Sequence, residues 1–385
     1  SMNDMERISA DVCVVGAGIV GLSHALEARS RGLSVVVLER SQRSIGASVR
    51  NFGHVIVSGM AAGRPLEAAL RARERWLDVG GRAGLDVQEC GTVIAARSGD
   101  ELEVLAGVAD EPARGARLVS AEQVGALVPI PVRGLVGGLH ATRDLRVDPR
   151  GAVAGLAALV DDDPAGDVRF GAPVHAVATG EVHGAGIEVR AERVIVCPGP
   201  DYDCLAPALV PARAGLTRCK LQMLRVGAPD GRRYGPALLT GLSLLRYPGY
   251  RAQTGADALA ARIAAESPEL LKRGVHLIVT QLPGGDLILG DTHEYGDAVS
   301  PFGDEALDEL VLTQARRLLG VQHFDVRERW HGTYPTAPGD PFLIEHPLPG
   351  VSVVEVVSGI GMTTALGLAA LTFDGASAPA PAVTV

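Results

Sequence analysis

The sequence predicts an α/β plus α+β protein: a Rossmann-like dinucleotide-binding domain interleaved with a second domain built on a mainly antiparallel sheet. Three observations predict it. An apolar run at 11–15 enters Gly16-Ala17-Gly18-Ile19-Val20-Gly21, then a helix-compatible stretch to residue 30 and a second apolar run at 33–38 ending on Glu39, the order of a mononucleotide-binding unit. Glycine-broken β-like runs at 173–178, 186–189 and 193–197 read as a meander. Strand-like stretches at 216–225 and 275–290 alternate with helical ones at 256–265 and 305–319, as in an antiparallel sheet with covering helices.

The remaining elements follow in chain order. Residues 65–82 place Leu66, Leu70, Trp76 and Leu77 near helical spacing among Arg and Glu, an amphipathic helix with its tryptophan in the core. A strand at 92–96 and a helix at 100–109 come next, and Ser120 with Gln123 forms a capping box opening a short helix before Pro129. Residues 149–160 read as helix, 351–357 as a last buried strand, and Ser358 to Thr364 lead into a small-residue helix ending near 371, with a frayed 375–381 segment after it. There is no internal repeat and no linker. The expected division is 1–86, 140–212 and 329–385 for the dinucleotide domain and 87–139 and 213–328 for the second.

Composition narrows the function classes. The 385 residues are 47% hydrophobic and 21% charged, which is globular. A net charge of −9 leaves no broad basic surface for nucleic acid or an anionic membrane. Five scattered cysteines without a CxxC pair support neither a disulfide framework nor a zinc site, and no metal ligand set emerges. The apolar run at 12–20 is too short for a span and lacks signal-peptide flanks, so a cytoplasmic protein is expected.

A lone GxGxxG is weak evidence, but here it stands in register with strand, helix, strand and acid. Gly16 permits the sharp turn, Gly18 the approach of a pyrophosphate, and Gly21 close helix–strand packing, while Glu39 and Arg40 end the second strand where the ribose hydroxyls of an adenosine lie. Three later motifs favour FAD over NAD. Ala47, Ser48, Arg50, Asn51 and Gly53 form a second donor-rich loop suited to a cofactor that continues into a ribityl chain. Cys197-Pro198-Gly199 ends a strand in a glycine turn, and Gly359, Ile360, Gly361, Met362 and Thr363 open the last helix, whose amides stabilise negative charge on a reduced flavin.

With these motifs placed, the chain resembles, end to end, the D-amino-acid-oxidase-like superfamily that includes glycine and sarcosine oxidases. The resemblance implies an FAD-binding Rossmann-like domain plus a substrate domain, and puts Val174 where the backbone touches adenine. Val49-Arg-Asn-Phe-Gly53, Lys220-Leu-Gln-Met, Gly290-Asp-Thr-His-Glu-Tyr295, Trp330-His-Gly-Thr-Tyr-Pro335 and Gly361-Met-Thr-Thr are similar to a bacterial subgroup associated with phosphonate catabolism. Two departures stand out. Tyr334-Pro335 replaces the Arg-Pro pair whose arginine clamps a substrate carboxylate, and Gly332 stands where sarcosine oxidases carry a flavin-attaching cysteine, so FAD is expected to be non-covalent.

By the same resemblance His54, His293 and Tyr247 match substrate-facing positions, and Tyr334 takes the arginine's place as a phenolic donor. Each has a plainer alternative: a hydrogen-bonded structural histidine, or a tyrosine packed in the core. Lys220, one of two lysines in the chain, either serves oxygen activation or anion binding near the flavin or is a surface residue at a strand end. Cys197, Cys204 and Cys219 have no base partner and read as small core residues.

The leading expectation is an FAD-dependent amine oxidase or dehydrogenase: hydride leaves the α-carbon for flavin N5, and the imine hydrolyses to a carbonyl and a smaller amine or ammonia. Oxygen or another acceptor reoxidises the flavin. The substrate is a small amine with an anionic group, and the missing arginine favours an aminophosphonate, N-methylated or not, over an amino acid. If a guanidinium does hold the anion, Arg50 and Arg246 are the first to examine. The alternatives are a non-catalytic flavin-holding subunit of a complex, an oxidase of an ordinary small amino acid, and, disfavoured by the later motifs, an NAD-dependent dehydrogenase.

Overall fold

A computed structural model describes residues 5–205, 209–210 and 215–375. The first sheet has eight strands. Its order is Val174–Ala178, Glu181–Gly184, Ile187–Val196, Glu6–Val15, Val35–Leu38, Gly166–Arg169, with Val351–Val356 also on Ile187–Val196 and Phe342–Leu348 outside it. Glu6–Val15 pairs in parallel with both Ile187–Val196 and Val35–Leu38. Residues 12–15 and all of Val35–Leu38 are buried, the unbroken apolar run of a parallel strand covered on both faces. The helix Ile19–Ser30 fills the crossover between them, the helix Gly361–Gly375 packs against it, and Arg64–Ala83 packs on Gly361–Gly375.

The nine-stranded second sheet contains one parallel pair, Ala237–Leu239 with Thr92–Ala96, and is otherwise antiparallel. Thr217–Val226 is its hub, pairing with Leu287–Gly290, Glu294–Gly296 and the whole of Val326–Thr336. Glu305–Leu319 buries Leu307, Val311, Leu312, Ala315, Leu318 and Leu319 against it. A three-stranded sheet of His54–Val55, Leu145–Val147 and Val87–Gln88 bridges the two layers.

The structure differs from the expected elements in four places. The runs at 186–189 and 193–197 are one strand, Ile187–Val196, held straight by pairing with Glu6–Val15 along its length. The 275–290 stretch is a hairpin, Ile278–Gln281 and Leu287–Gly290, turning at 282–286 where the Leu282 amide donates to the Asp286 carbonyl at 2.8 Å. Val326–Thr336 belongs to the second sheet, so the chain returns to the first only after Thr336 and not at 329. Gly137–Ala141 likewise pairs with Thr92–Ala96, across the expected 139/140 boundary. The 376–381 part of the expected frayed end lies outside the described residues.

Candidate active site

The first glycine turn is built on close approach. Gly16 has φ +107°, and a Cβ there would stand 2.5 Å from the Cys197 carbonyl oxygen; at Gly21 it would stand 1.9 Å from the Gly16 carbonyl oxygen. No side chain can replace either hydrogen without moving backbone. Gly18 precedes the helix with no capping side chain of its own, and the Ile19 amide donates instead to Ser48 Oγ at 2.9 Å, tying the two loops together. Glu39 accepts the Ala17 amide on Oε2 and the Ser41 amide on Oε1, both at 3.0 Å. Arg40 forms an ion pair with Asp201.

The second loop is held from inside. Asn51 Nδ2 donates to the carbonyls of Ala47 and Ser48, and its Oδ1 accepts the Gly53 amide at 2.8 Å. Arg50 donates to the carbonyls of Ile45 at 2.8 Å and His331 at 3.0 Å, which makes it a strap between the loop and Val326–Thr336 and commits its guanidinium to backbone.

Between these loops runs a cavity of about 520 Å³. Of the sequence-predicted cofactor residues, Gly16, Gly18, Ile19, Val20, Gly21, Glu39, Arg40, Ala47, Ser48, Arg50, Asn51, Val174, Cys197, Pro198, Gly199, Gly332, Gly359, Gly361 and Met362 line it. Ala17, Gly53, Ile360 and Thr363 stand behind the wall. Ala17 hands its amide to Glu39, Gly53 takes φ +67° against the Val147 carbonyl, Ile360 is buried, and Thr363 Oγ1 accepts the Ile56 amide at 3.1 Å.

At the end of the cavity nearest the second sheet stand Tyr247, Asp291 and Tyr334. Tyr334 faces Cys219 across the strand pair, and its hydroxyl oxygen accepts from Arg246 Nη2 at 3.0 Å; Nη1 donates to the Tyr295 hydroxyl at 2.6 Å. A guanidinium therefore does back this site, delivered by the 241–247 segment and not by the strand that carries Tyr334. Burial pushes the Tyr247 and Tyr334 phenols up, so both stay protonated.

Asp291 joins a buried network. His276 Nε2 lies 2.8 Å from its Oδ1, and His293 Nε2 lies 3.7 Å from Oδ2. The two imidazoles stack at 5.6 Å. Burial alone would raise the Asp291 carboxyl, but His293, His276 and Arg246 outweigh it and hold it at about 2. The three side chains converge within 4.8 Å. Because Arg246 already answers the carboxylate's charge, the cluster reads as a charge network and not as a cation site.

Three expected site residues lie elsewhere. His54 is buried with Nε2 2.7 Å from Thr92 Oγ1, burial takes it down to about 3, and it lies off the cavity wall. Beyond Thr92, Asp144 binds the Ser58 amide and hydroxyl at 2.9 and 2.8 Å, so His54 ends an internal polar network. His293 backs Asp291, its Nδ1 committed to the Gly274 carbonyl at 2.7 Å. Lys220 is neither at the cavity nor on the surface: it is 2% exposed and donates to the carbonyls of Ser300, at 2.7 Å, and Phe302, pinning that loop. Cys197 and Cys204 line the cavity, and of the three expected core cysteines only Cys219 is buried. The motif reading of 290–295 chose the histidine and passed over Asp291; it had no signal for His276.

The family model for FAD dependent oxidoreductases, the DAO family, matches residues 11–374. The chain belongs to that family. L-proline dehydrogenase from P. horikoshii superposes with a TM-score of 0.79 at 15% identity, covering 96% of this chain and 94% of that one. Glycine oxidase from Geobacillus kaustophilus gives 0.74 at 18%, covering 97% and 96%. At such identities the likeness is one of fold. Gamma-glutamylputrescine oxidoreductase of Escherichia coli is 53% identical over 53 residues, which is 14% of this chain and 12% of that protein.

The family's cofactor, FAD, fits the residues present. The glycine cradle lets the backbone of Gly16, Gly18 and Gly21 line the cavity at the start of the Ile19–Ser30 helix, a Cβ on Gly18 would close to 3.1 Å on Ser48 Oγ, and the same cavity takes in Glu39, Gly359 and Met362. Among the described residues no helix is long and apolar enough to cross a membrane.

Proposed function

We propose that this FAD dependent oxidoreductase oxidises the C–N bond of a small amine bearing an anionic group, an aminophosphonate with or without an N-methyl substituent. One observation carries the reading: a carboxylate, Asp291, and an arginine-backed phenol, Tyr334, stand at the same end of the cavity. When bound, the flavin supplies a two-electron acceptor for the hydride on the carbon next to nitrogen. Asp291 draws in the substrate's ammonium. His293 Nδ1 faces a carbonyl and must carry the ring hydrogen, and burial takes its pKa down to about 4, so the ring stays neutral behind Asp291 and holds no substrate proton. The half-buried Tyr247 and the surrounding wall exclude water until the imine leaves to be hydrolysed.

The anion meets hydroxyls. Arg246 does not line the cavity and gives one N–H of each Nη to a tyrosine oxygen, while Tyr334, which does line it, keeps its own proton to donate. Separate donors suit the three oxygens of a tetrahedral phosphonate better than a planar carboxylate, in line with the resemblance to the phosphonate-associated subgroup. Anaerobic flavin bleaching with matched pairs tests this: aminomethylphosphonate against glycine, and N-methyl-2-aminoethylphosphonate against N-methyl-β-alanine. The phosphonate of each pair should bleach faster. Carboxylates reducing the flavin as fast would favour an oxidase of ordinary small amino acids, and no bleaching by any amine would favour a flavin-holding subunit.

A further inference from the structure

Glu355 belongs to none of the motifs above. It sits in Val351–Val356, a strand buried at every position, and is itself 2% exposed, yet it lines the cavity beside Cys197 and Gly199. Its Oε1 has no hydrogen-bond partner among the described residues, while the Gly199 amide lies within reach of the carboxyl group. A buried, unpartnered polar atom costs stability unless something outside the chain satisfies it, and the molecule that belongs in this cavity is FAD.

We infer that Glu355 is a cofactor-binding residue, a neutral carboxylic acid whose Oε1 hydroxyl donates a hydrogen bond to an oxygen of bound FAD. The surroundings select the neutral form. Burial raises the carboxyl well above its ordinary range, and nearby Asp201 adds to the shift against the Gly199 amide. The other titratable groups facing it supply no compensating cation: Cys197 and Tyr202 are raised, Arg40 is spent on Asp201, and Arg218 lies over Tyr202 while pairing with Asp203. His331 and Tyr334 share the cavity wall, and Leu343 stands opposite on the neighbouring strand. The acid form, unlike the carboxylate, offers a hydrogen-bond donor to a cofactor oxygen. The same device keeps a carboxyl protonated to serve as a donor in other apolar sites.

The test is FAD affinity of the apo-protein, read by quenching of FAD fluorescence across pH, and it does not depend on the substrate. Glu355→Gln keeps a neutral donor and should bind FAD within about threefold of the wild type with a flatter pH profile, while wild-type affinity falls as alkali ionises the acid. Glu355→Ala should bind about tenfold more weakly. Circular dichroism of each apo-protein establishes that it is folded, and Glu355→Gln, nearly isosteric, remains decisive if the alanine variant fails to fold. Glu355→Ala binding as tightly as wild type overturns the inference, as does Glu355→Gln binding as weakly as Glu355→Ala with wild-type affinity indifferent to pH. A wild-type protein that binds no FAD would instead sink the family's cofactor here.

Discussion

Arg246 and His54 show how a single residue's role is decided by what crosses the chain to meet it. The Arg-Pro pair absent at 334–335 is replaced by an arginine from a distant segment, its fork closed by Tyr295 and Tyr334. Nothing local in the Leu245-Arg-Tyr-Pro stretch announces that contact. His54 followed a cofactor loop in sequence, yet the strand pairing of His54–Val55 with Leu145–Val147 accompanies a side chain turned to Thr92. Its burial has a measurable consequence. A histidine ordinarily near 6.5 and held at about 3 stays neutral when folded, so below pH 6.5 the unfolded chain binds a proton the folded one refuses. Stability is therefore lost as pH falls from 6.5 toward 3. Asp144, raised to about 6, works the other way: its contribution is full below about 3.9 and lost as pH rises through 6. Replacing His54 alone isolates the first effect. His54→Gln should move the acid-unfolding midpoint, followed by circular dichroism, down by about half a pH unit, and an unmoved midpoint would show that His54 is charged in the fold.

Elements were legible where apolar spacing wrote them. The Arg64–Ala83 helix, the Ser120 capping box and the Val351–Val356 strand stand close to where periodicity and turn residues put them. The 11-residue strand Val326–Thr336 was not legible, because it lacks hydrophobic alternation and is held by its backbone ladder to the distant Thr217–Val226, with ion pairs along its first residues. Arg327 pairs with Asp286, Glu328 with Arg225, and Arg329 with Asp308, each partner arriving from another segment. Trp76, expected in the core, is fully buried and also donates its Nε1–H to the Met362 carbonyl at 2.8 Å, fixing the start of the last helix at the cavity wall. Trp76→Phe preserves an aromatic ring but removes the donor to that carbonyl, a loss of about 0.5–1.5 kcal/mol. Thermal unfolding should show the lower stability, with weaker FAD retention because Met362 lines the cavity. Unchanged melting would mean the helix start is held by packing alone, for example by Gly367, whose missing Cβ would stand 2.0 Å from the Ala68 carbonyl oxygen.

For the whole molecule, the cavity is the joint between the two large sheets. Val15, Val174 and Glu355 come from the first sheet, and Leu221, Met223 and Tyr334 from the second. Neither sheet closes it alone, and the chain passes between them at several points. FAD that binds only the folded, joined form must stabilise both sheets together, by about 2.7 kcal/mol at a hundredfold excess over its Kd. Calorimetry of the apo-protein with and without FAD should then show one transition that moves upward by a few degrees as FAD is added. The flavin should also leave the protein on acid precipitation, since Gly332, the position that the resemblance to sarcosine oxidases marks for attachment, offers no thiol. Two separate transitions, of which FAD moves only one, would mean that the second sheet folds on its own and merely leans on the cofactor. In that case Tyr334 and Asp291 would sit on a domain free to shift against the flavin, and the substrate end of the cavity would have to be completed by closure rather than built in advance.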